Sequence, residues 1–233
     1  MTERPADADV LIIGGGIGGL TLALQLHAAG IGVHVYEATT QMKPVGVGVS
    51  LLPHSVKVLG ELGLLDALAR VAITTKETAF FNRFGQRVHS EPTGRLAGYE
   101  WPQFQIHRAD LHAVLLDALT ARLGADRLKL GWKCTAFEQD GASVTAHFVD
   151  TATGGALAPQ KGRALVGCDG LHSVIRKQLH PGEGEPVYSG VNMWRGVTRW
   201  KPYLTGASYV RAGTKWESCC RIIASCGMTR RCR

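Results

Sequence analysis

Val10-Leu11-Ile12-Ile13-Gly14-Gly15-Gly16-Ile17-Gly18-Gly19-Leu20 is the stretch that decides the fold class. Four apolar residues in a row, three of them β-branched, read as a short strand buried on both faces. The glycines then turn the chain. Ile17, Leu20, Leu24 and Ala28 recur at helical spacing and Gly30 closes the helix. Ile31, Val33 and Val35 alternate as a second strand that ends at Glu37. Strand, helix and strand in this order predict a parallel pair joined by a right-handed crossover.

Within that unit Gly14-x-Gly16-x-x-Gly19 has the spacing of a dinucleotide-binding fingerprint. The first glycine permits the tight turn, the second lets a pyrophosphate approach the backbone, and the third lets the helix pack close to the sheet. Free N–H groups and the positive end of the helix dipole would hold the phosphates. Glu37, at the end of the second strand, is suited to accept hydrogen bonds from a ribose hydroxyl pair; its alternative role is that of a surface carboxylate. The fingerprint alone does not separate NAD from FAD, because both present an adenosine ribose to this acid.

Outward from this core, Pro53 opens a helix whose face is predicted to hold Val58, Leu59, Leu62, Leu65 and Leu68. Residues 78–90 read as a hairpin around Asn82–Gly85, and 91–102 as a loop. Phe104–His107 reads as a strand and Leu111–Leu119 as an amphipathic helix ending near Gly124. Leu128–Leu130 is strand-like. Thr135–Gln139 and Ser143–Phe148 make a hairpin whose Asp140-Gly141 pair signals a type I′ turn. Ala164–Cys168 reads as another buried strand, Ser173–Leu179 as a helix that Ser173 can cap, and 187–211 as β-rich.

With 233 residues and 45% hydrophobic residues the chain can bury a full core, which excludes a disordered or fibrous class. The net charge of +7 suits anionic small molecules. No basic stripe interleaves with aromatics, so nucleic acid is not an expected partner. The N-terminal residues lack the basic start and apolar core of a signal peptide, and no apolar run approaches the roughly 18 residues of a membrane span; no membrane association and a cytoplasmic location are expected. Cys134 and Cys168 read as small core residues in a reducing compartment. No zinc-ligand spacing occurs in residues 1–216, and no metal site is expected.

Three further segments carry chemistry. Asp169-Gly170-Leu171-His172-Ser173-Val174-Ile175-Arg176 follows a strand, which places Asp169 at the carboxyl edge of the sheet where ligands of α/β folds sit. Arg108, before a long helix, offers a fixed fork of donors to an anionic or carbonyl-bearing ligand. Lys43-Pro44-Val45-Gly46-Val47-Gly48-Val49 has glycines that would let backbone lie against a flat group. The bland alternatives are a plain turn at Asp169, a surface or capping ion pair at Arg108, and an ordinary loop at Gly46 and Gly48.

Together these segments resemble the FAD-dependent aromatic-ring monooxygenases, the p-hydroxybenzoate hydroxylase-like flavoproteins. The likeness runs over about residues 8 to 216. Pro44-Val45-Gly46-Val47-Gly48, Trp101-Pro102-Gln103-Phe104 and Met193-Trp194-Arg195-Gly196-Val197-Thr198 look most similar to phenazine-modifying and salicylate-type members. The resemblance implies an α/β fold in which a Rossmann-like FAD-binding domain (residues 1–75 and 105–185) is interleaved with an incomplete β-rich substrate domain (76–104 and 186–216). It implies that Gly14, Gly16, Gly19, Glu37, Arg108 and Asp169 contact FAD and that Gly46 and Gly48 flank its ring. It implies an NAD(P)H- and O2-dependent hydroxylation of a small aromatic compound, with no catalytic side chain named. Alternatives left open are an NAD(P)-dependent dehydrogenase and a non-catalytic FAD-binding fragment.

The family's Gly-Asp-Ala-Ala-His-type motif, whose aspartate binds the ribityl chain, does not occur in this sequence. Residues 217–233 carry four Cys and four Arg in 17 residues with no strand or helix period. They read as an anomalous tail, either out of frame, metal-binding or a genuine alternative end. The expectation is a C-terminally truncated, impaired enzyme.

Overall fold

The computed structural model describes residues 9–43, 46–198 and 200–213, and for 220–223 the backbone. The remainder of the expected tail lies outside the described residues. In chain order the elements are β1 (Val10–Ile13), α1 (Ile17–Ala28), β2 (Val33–Glu37), β3 (Gly48–Leu51), α2 (Pro53–Glu61), α3 (Leu65–Val71), β4 (Ile73–Thr74), β5 (Glu77–Phe81), β6 (Arg87–Pro92), β7 (Phe104–His107) and α4 (Arg108–Leu123). Then come β8 (Leu128–Leu130), β9 (Trp132–Gln139), β10 (Val144–Asp150), β11 (Ala156–Gly162), β12 (Ala164–Gly167), α5 (Val174–Leu179), β13 (Ser208–Ala212) and β14 (Cys220–Ile223). The chain forms two compact units, Met1–Pro44 with His112–Met193 and Val45–Leu111 with Trp194–Arg233. In this division residues 45–75 and 105–111, expected with the FAD-binding domain, fall in the second unit, and 186–193, expected with the substrate domain, fall in the first.

The first unit holds a parallel sheet in the order β12-β1-β2-β8 and an antiparallel sheet β11-β10-β9. The predicted βαβ start is present, with Ile13 opposite Tyr36 and opposite Gly167 on the other side. Alternation along β1 sends its residues to two faces. Leu11 and Ile13 join Tyr36, Phe137, Val144, Phe148 and Ile175 in one buried cluster. Tyr36 anchors it: its ring centroid lies 4.5 Å from Phe148 and 5.5 Å from Trp132. Such aromatic pairs contribute about 0.5–1.5 kcal/mol beyond area burial. Its hydroxyl donates to Gln160 Oε1 at 3.2 Å, and burial pushes the phenol pKa up to about 12.

The second unit holds two sheets, β14-β13-β5-β6 and β3-β7-β4. β5 and β6 form the predicted hairpin, and β13 lies parallel to β5. Antiparallel pairing of β14 with β13 makes residues 220–223 a strand, although the tail sequence shows no such period.

Several expectations need correction. The predicted single helix after Pro53 is two, broken at Gly63 with φ +71°. The fully buried residues of this stretch are Val56, Leu59, Leu62, Leu64 and Leu68, while Val58 and Leu65 are half-buried. Gly94–Ala97 is a 3-10 turn within the predicted loop. β12 is an edge strand among the described residues and is largely exposed; covering of both faces cannot be read from an apolar run alone. Residues 187–207 carry no strand among those described, and large apolar side chains there stand in solvent, Trp194 at 95% exposure among them. At the β9–β10 turn Gly141 alone has positive φ, whereas type I′ needs it at both central residues.

Candidate functional site

The glycine loop leaves the carboxyl end of β1. Gly14 has φ +108°, and any Cβ there would collide with the carbonyl of Cys168. The Cys168 N–H donates to Ile13 O at 2.6 Å, so the ends of β1 and β12 abut and bring Asp169 to the loop's side. Gly19 fills the third fingerprint role, since a Cβ on it would collide with the Gly14 carbonyl. Gly16 is different. Its backbone is ordinary and extended (φ −73°, ψ −176°), and a methyl group there would meet no atom within 4 Å. No side chain caps α1. The start of α1 is thus uncapped and has room beside Gly16, with the positive end of the helix dipole there, an arrangement that suits a phosphate.

Glu37 projects from the end of β2 onto this loop. Its Oε2 accepts the Gly15 N–H at 2.7 Å and its Oε1 accepts the Thr39 N–H at 2.8 Å. Each oxygen keeps a further acceptor position. Glu37 is therefore more than a surface carboxylate, because it holds the loop and still has capacity for a hydroxyl pair.

Asp169 does local work as well. Its Oδ1 accepts the Ser173 hydroxyl at 2.6 Å and its Oδ2 accepts the Val174 N–H at 2.7 Å. Ser173 Oγ in turn accepts the Arg176 N–H at 2.9 Å, as a helix N-cap does. Arg176 folds back to donate to Leu171 O at 2.6 Å and pairs with Glu183 at 2.6 Å. The three polar positions of the Asp-Gly-x-x-Ser-x-x-Arg element thus lock one another in place. Burial first, then the Asp169 charge, raises the pKa of the Cys168 thiol; burial chiefly pushes that of Cys134 up to about 11. Neither is a thiolate nucleophile at neutral pH.

In the second unit Gly46 (φ +137°) lies against Arg108, whose Cβ would be 2.9 Å from a Cβ on the glycine. Gly48 opens β3 opposite His107. The Arg108 N–H donates to Val47 O at 3.0 Å, and His107 Nδ1 accepts the Ala109 N–H at 3.3 Å. His107 is thus a helix-capping residue for α4. The Arg108 side chain is exposed, and among the described residues its guanidinium has no ion-pair partner. The structure gathers Gly14, Gly16, Gly19, Glu37 and Asp169 in the first unit and Gly46, Gly48 and Arg108 in the second.

One residue was missed from sequence. His112 on α4 places Nε2 2.9 Å from the carbonyl oxygen of Gly15. It lies in an amphipathic helix far along the chain from the loop, and no local pattern marks it. Among the described residues no cluster of three or more His, Cys, Asp or Glu could hold a metal, and no helix is long and apolar enough to cross a membrane.

A parallel sheet, a glycine loop at its carboxyl edge, an uncapped helix start and a strand-end acid define a dinucleotide-binding α/β protein. The FAD binding domain family matches residues 7–197, and the chain belongs to that family. It is 40% identical over 205 residues to phenazine 1,6-dicarboxylic acid hydroxylase PhzS of Lysobacter antibioticus, a match covering 88% of this chain and 50% of that protein. It is 33% identical over 201 residues to 3-amino-4-hydroxybenzoate 2-monooxygenase of Streptomyces cremeus, covering 84% and 47%. Among solved structures, Klebsiella pneumoniae HpxO complexed with FAD and uric acid superposes with a TM-score of 0.66 at 25% identity, covering 87% of this chain and 50% of that one. The chain spans about half the length of the curated relatives it matches.

Proposed function

We propose that this chain binds FAD and serves an NAD(P)H-dependent monooxygenase that hydroxylates a small aromatic compound. The observation that carries the reading is the open, uncapped start of α1 at Gly16, flanked by Glu37 and by the Asp169 turn. These residues fit the cofactor: an open cradle of amides suits a pyrophosphate, and an acid with acceptor capacity suits a ribose. The Asp169 element and the aromatic hydroxylases among its relatives favour FAD over NAD.

In this reading Gly14 and Gly19 shape the loop, the amides from Gly16 onward hold the pyrophosphate, and Glu37 accepts from the adenosine ribose. Asp169 fixes the second wall of the same edge. Arg108 presents its donor fork to an anionic or carbonyl part of the cofactor, and Gly46 and Gly48 let backbone lie beside a flat ring. When bound, FAD supplies the redox chemistry: one NAD(P)H, one proton and one O2 convert an aromatic C–H to C–OH, with water and NAD(P)+ as the other products. The protein's share is to orient cofactor and ring and to keep water away from them. The Gly-Asp-Ala-Ala-His-type motif is absent from these 233 residues, so the chain assayed by itself is expected to consume NAD(P)H with little coupled hydroxylation.

The test is titration of the apo-chain with FAD and with NAD+, followed by flavin fluorescence and by the visible bands near roughly 375 and 450 nm that the isoalloxazine carries. FAD should bind more tightly; tighter NAD+ binding would sink the reading. NAD(P)H consumption, peroxide and hydroxylated product should then be measured together over phenolic and phenazine substrates. Turnover tightly coupled to product would overturn the expectation of weak coupling.

A further inference from the structure

Gly15 is held from two sides. Its N–H donates to Glu37 Oε2 at 2.7 Å, and its carbonyl oxygen lies 2.9 Å from His112 Nε2. A carbonyl oxygen can only accept, so Nε2 carries the proton in this contact. The two bonds act on different peptide units: Glu37 holds the one between Gly14 and Gly15, and His112 holds the one between Gly15 and Gly16.

That second unit matters for an anion. All described peptides are trans, and in a planar trans unit the N–H points opposite to the carbonyl. With the Gly15 carbonyl tied to α4, the Gly16 N–H is turned to the other side. Glycine resists few conformations, and here two glycines flank the bond, so nothing local prevents the unit from rotating. A rotated unit would aim a carbonyl oxygen where a phosphate needs a donor, turning attraction into repulsion. Gly16 is also the fingerprint position around which a methyl group would meet no atom within 4 Å.

We propose that His112 is a positioning residue for the phosphate-binding loop, holding the Gly15–Gly16 peptide so that the Gly16 N–H faces the pyrophosphate of a bound dinucleotide. The inference rests on the FAD reading above. It assigns to α4 a role at the glycine loop that the fingerprint does not contain. A simple tie between α4 and the loop, with no effect on the phosphate, is the competing account.

The experiment compares wild type, His112→Leu and His112→Gln in the full chain. Leucine fills space without a donor, whereas the glutamine amide can donate to the Gly15 carbonyl. FAD affinity is read by flavin fluorescence, and the pyrophosphate by the 31P shifts of bound FAD. Loss of one hydrogen bond predicts FAD binding weakened about three- to tenfold in His112→Leu. It also predicts moved 31P signals in that variant and recovery of both in His112→Gln. Wild type that fails to bind FAD would overturn the functional reading itself and this inference with it. Wild type that binds, with His112→Leu equal to it or with both variants equally weakened, would overturn the positioning role alone. If His112→Leu fails to fold, a folded His112→Gln must match wild type in affinity and 31P shifts, and a mismatch overturns the role.

Discussion

Gly14 lies so close to Cys168 that no side chain fits between its Cα and the Cys168 carbonyl. This contact joins the first fingerprint glycine to the Asp169 turn and makes them one edge of one sheet. Gly14→Ala must overcome both a positive φ and a backbone collision. The expected loss is on the order of 2–4 kcal/mol of stability, with loss of FAD binding. Chemical denaturation of the two chains checks it. Gly16→Ala, which meets no atom, should leave stability nearly unchanged and weaken FAD binding alone.

Glu37→Ala should weaken FAD binding roughly ten- to a hundredfold, since hydrogen bonds to a charged acceptor contribute about 1.5–3 kcal/mol. The variant also frees the Gly15 and Thr39 amides, so a smaller loss of stability should accompany it. Glu37→Gln, with one acceptor oxygen in place of two, should fall between. An unchanged dissociation constant in folded Glu37→Ala would reduce this residue to a loop clamp.

Ser173 and Asp169 separate structure from binding. Ser173→Ala removes the cap on α5 and should cost about 1 kcal/mol while leaving FAD affinity within about twofold. Asp169→Asn weakens the contacts to both Ser173 and Val174 and should lower stability further. If Asp169 also meets the cofactor, it should weaken FAD binding well beyond the Ser173 variant. Calorimetric titration of the two variants side by side decides this; equal affinities would leave Asp169 a helix-capping residue only.

Asp140 gives a pH prediction. Backbone N–H donors from Ala142 and Ser143 and the Ser143 hydroxyl lower its pKa below the ordinary 3.8. A carboxylate with a depressed folded pKa contributes fully above its unfolded value and loses that contribution as pH falls through the folded one. Asp140→Asn keeps an acceptor oxygen but does not titrate. The melting-temperature advantage of wild type over the variant should therefore be constant at neutral pH and shrink below pH 3.8. A gap that widens on acidification would contradict the assignment.

Local pattern was enough for the βαβ start, the hairpin turning at Asn82, the β9–β10 pair and the capped helix after Asp169. Each depends on periodicity, glycine and capping residues within one short stretch. The glycine fingerprint and Glu37 were legible for the same reason, as was membership of the FAD binding domain family once the motifs were joined. Tertiary structure alone decided what backs these residues. Cys168 closing on Gly14, Glu37 reaching the Gly15 amide and His112 the Gly15 carbonyl all join segments far apart in sequence. It also decided that β12 is an exposed edge and that 187–207, apolar enough to be read as strands, have none among the described residues. Strand pairing and burial are properties of the partner, and a stretch of sequence carries no record of which partner it meets.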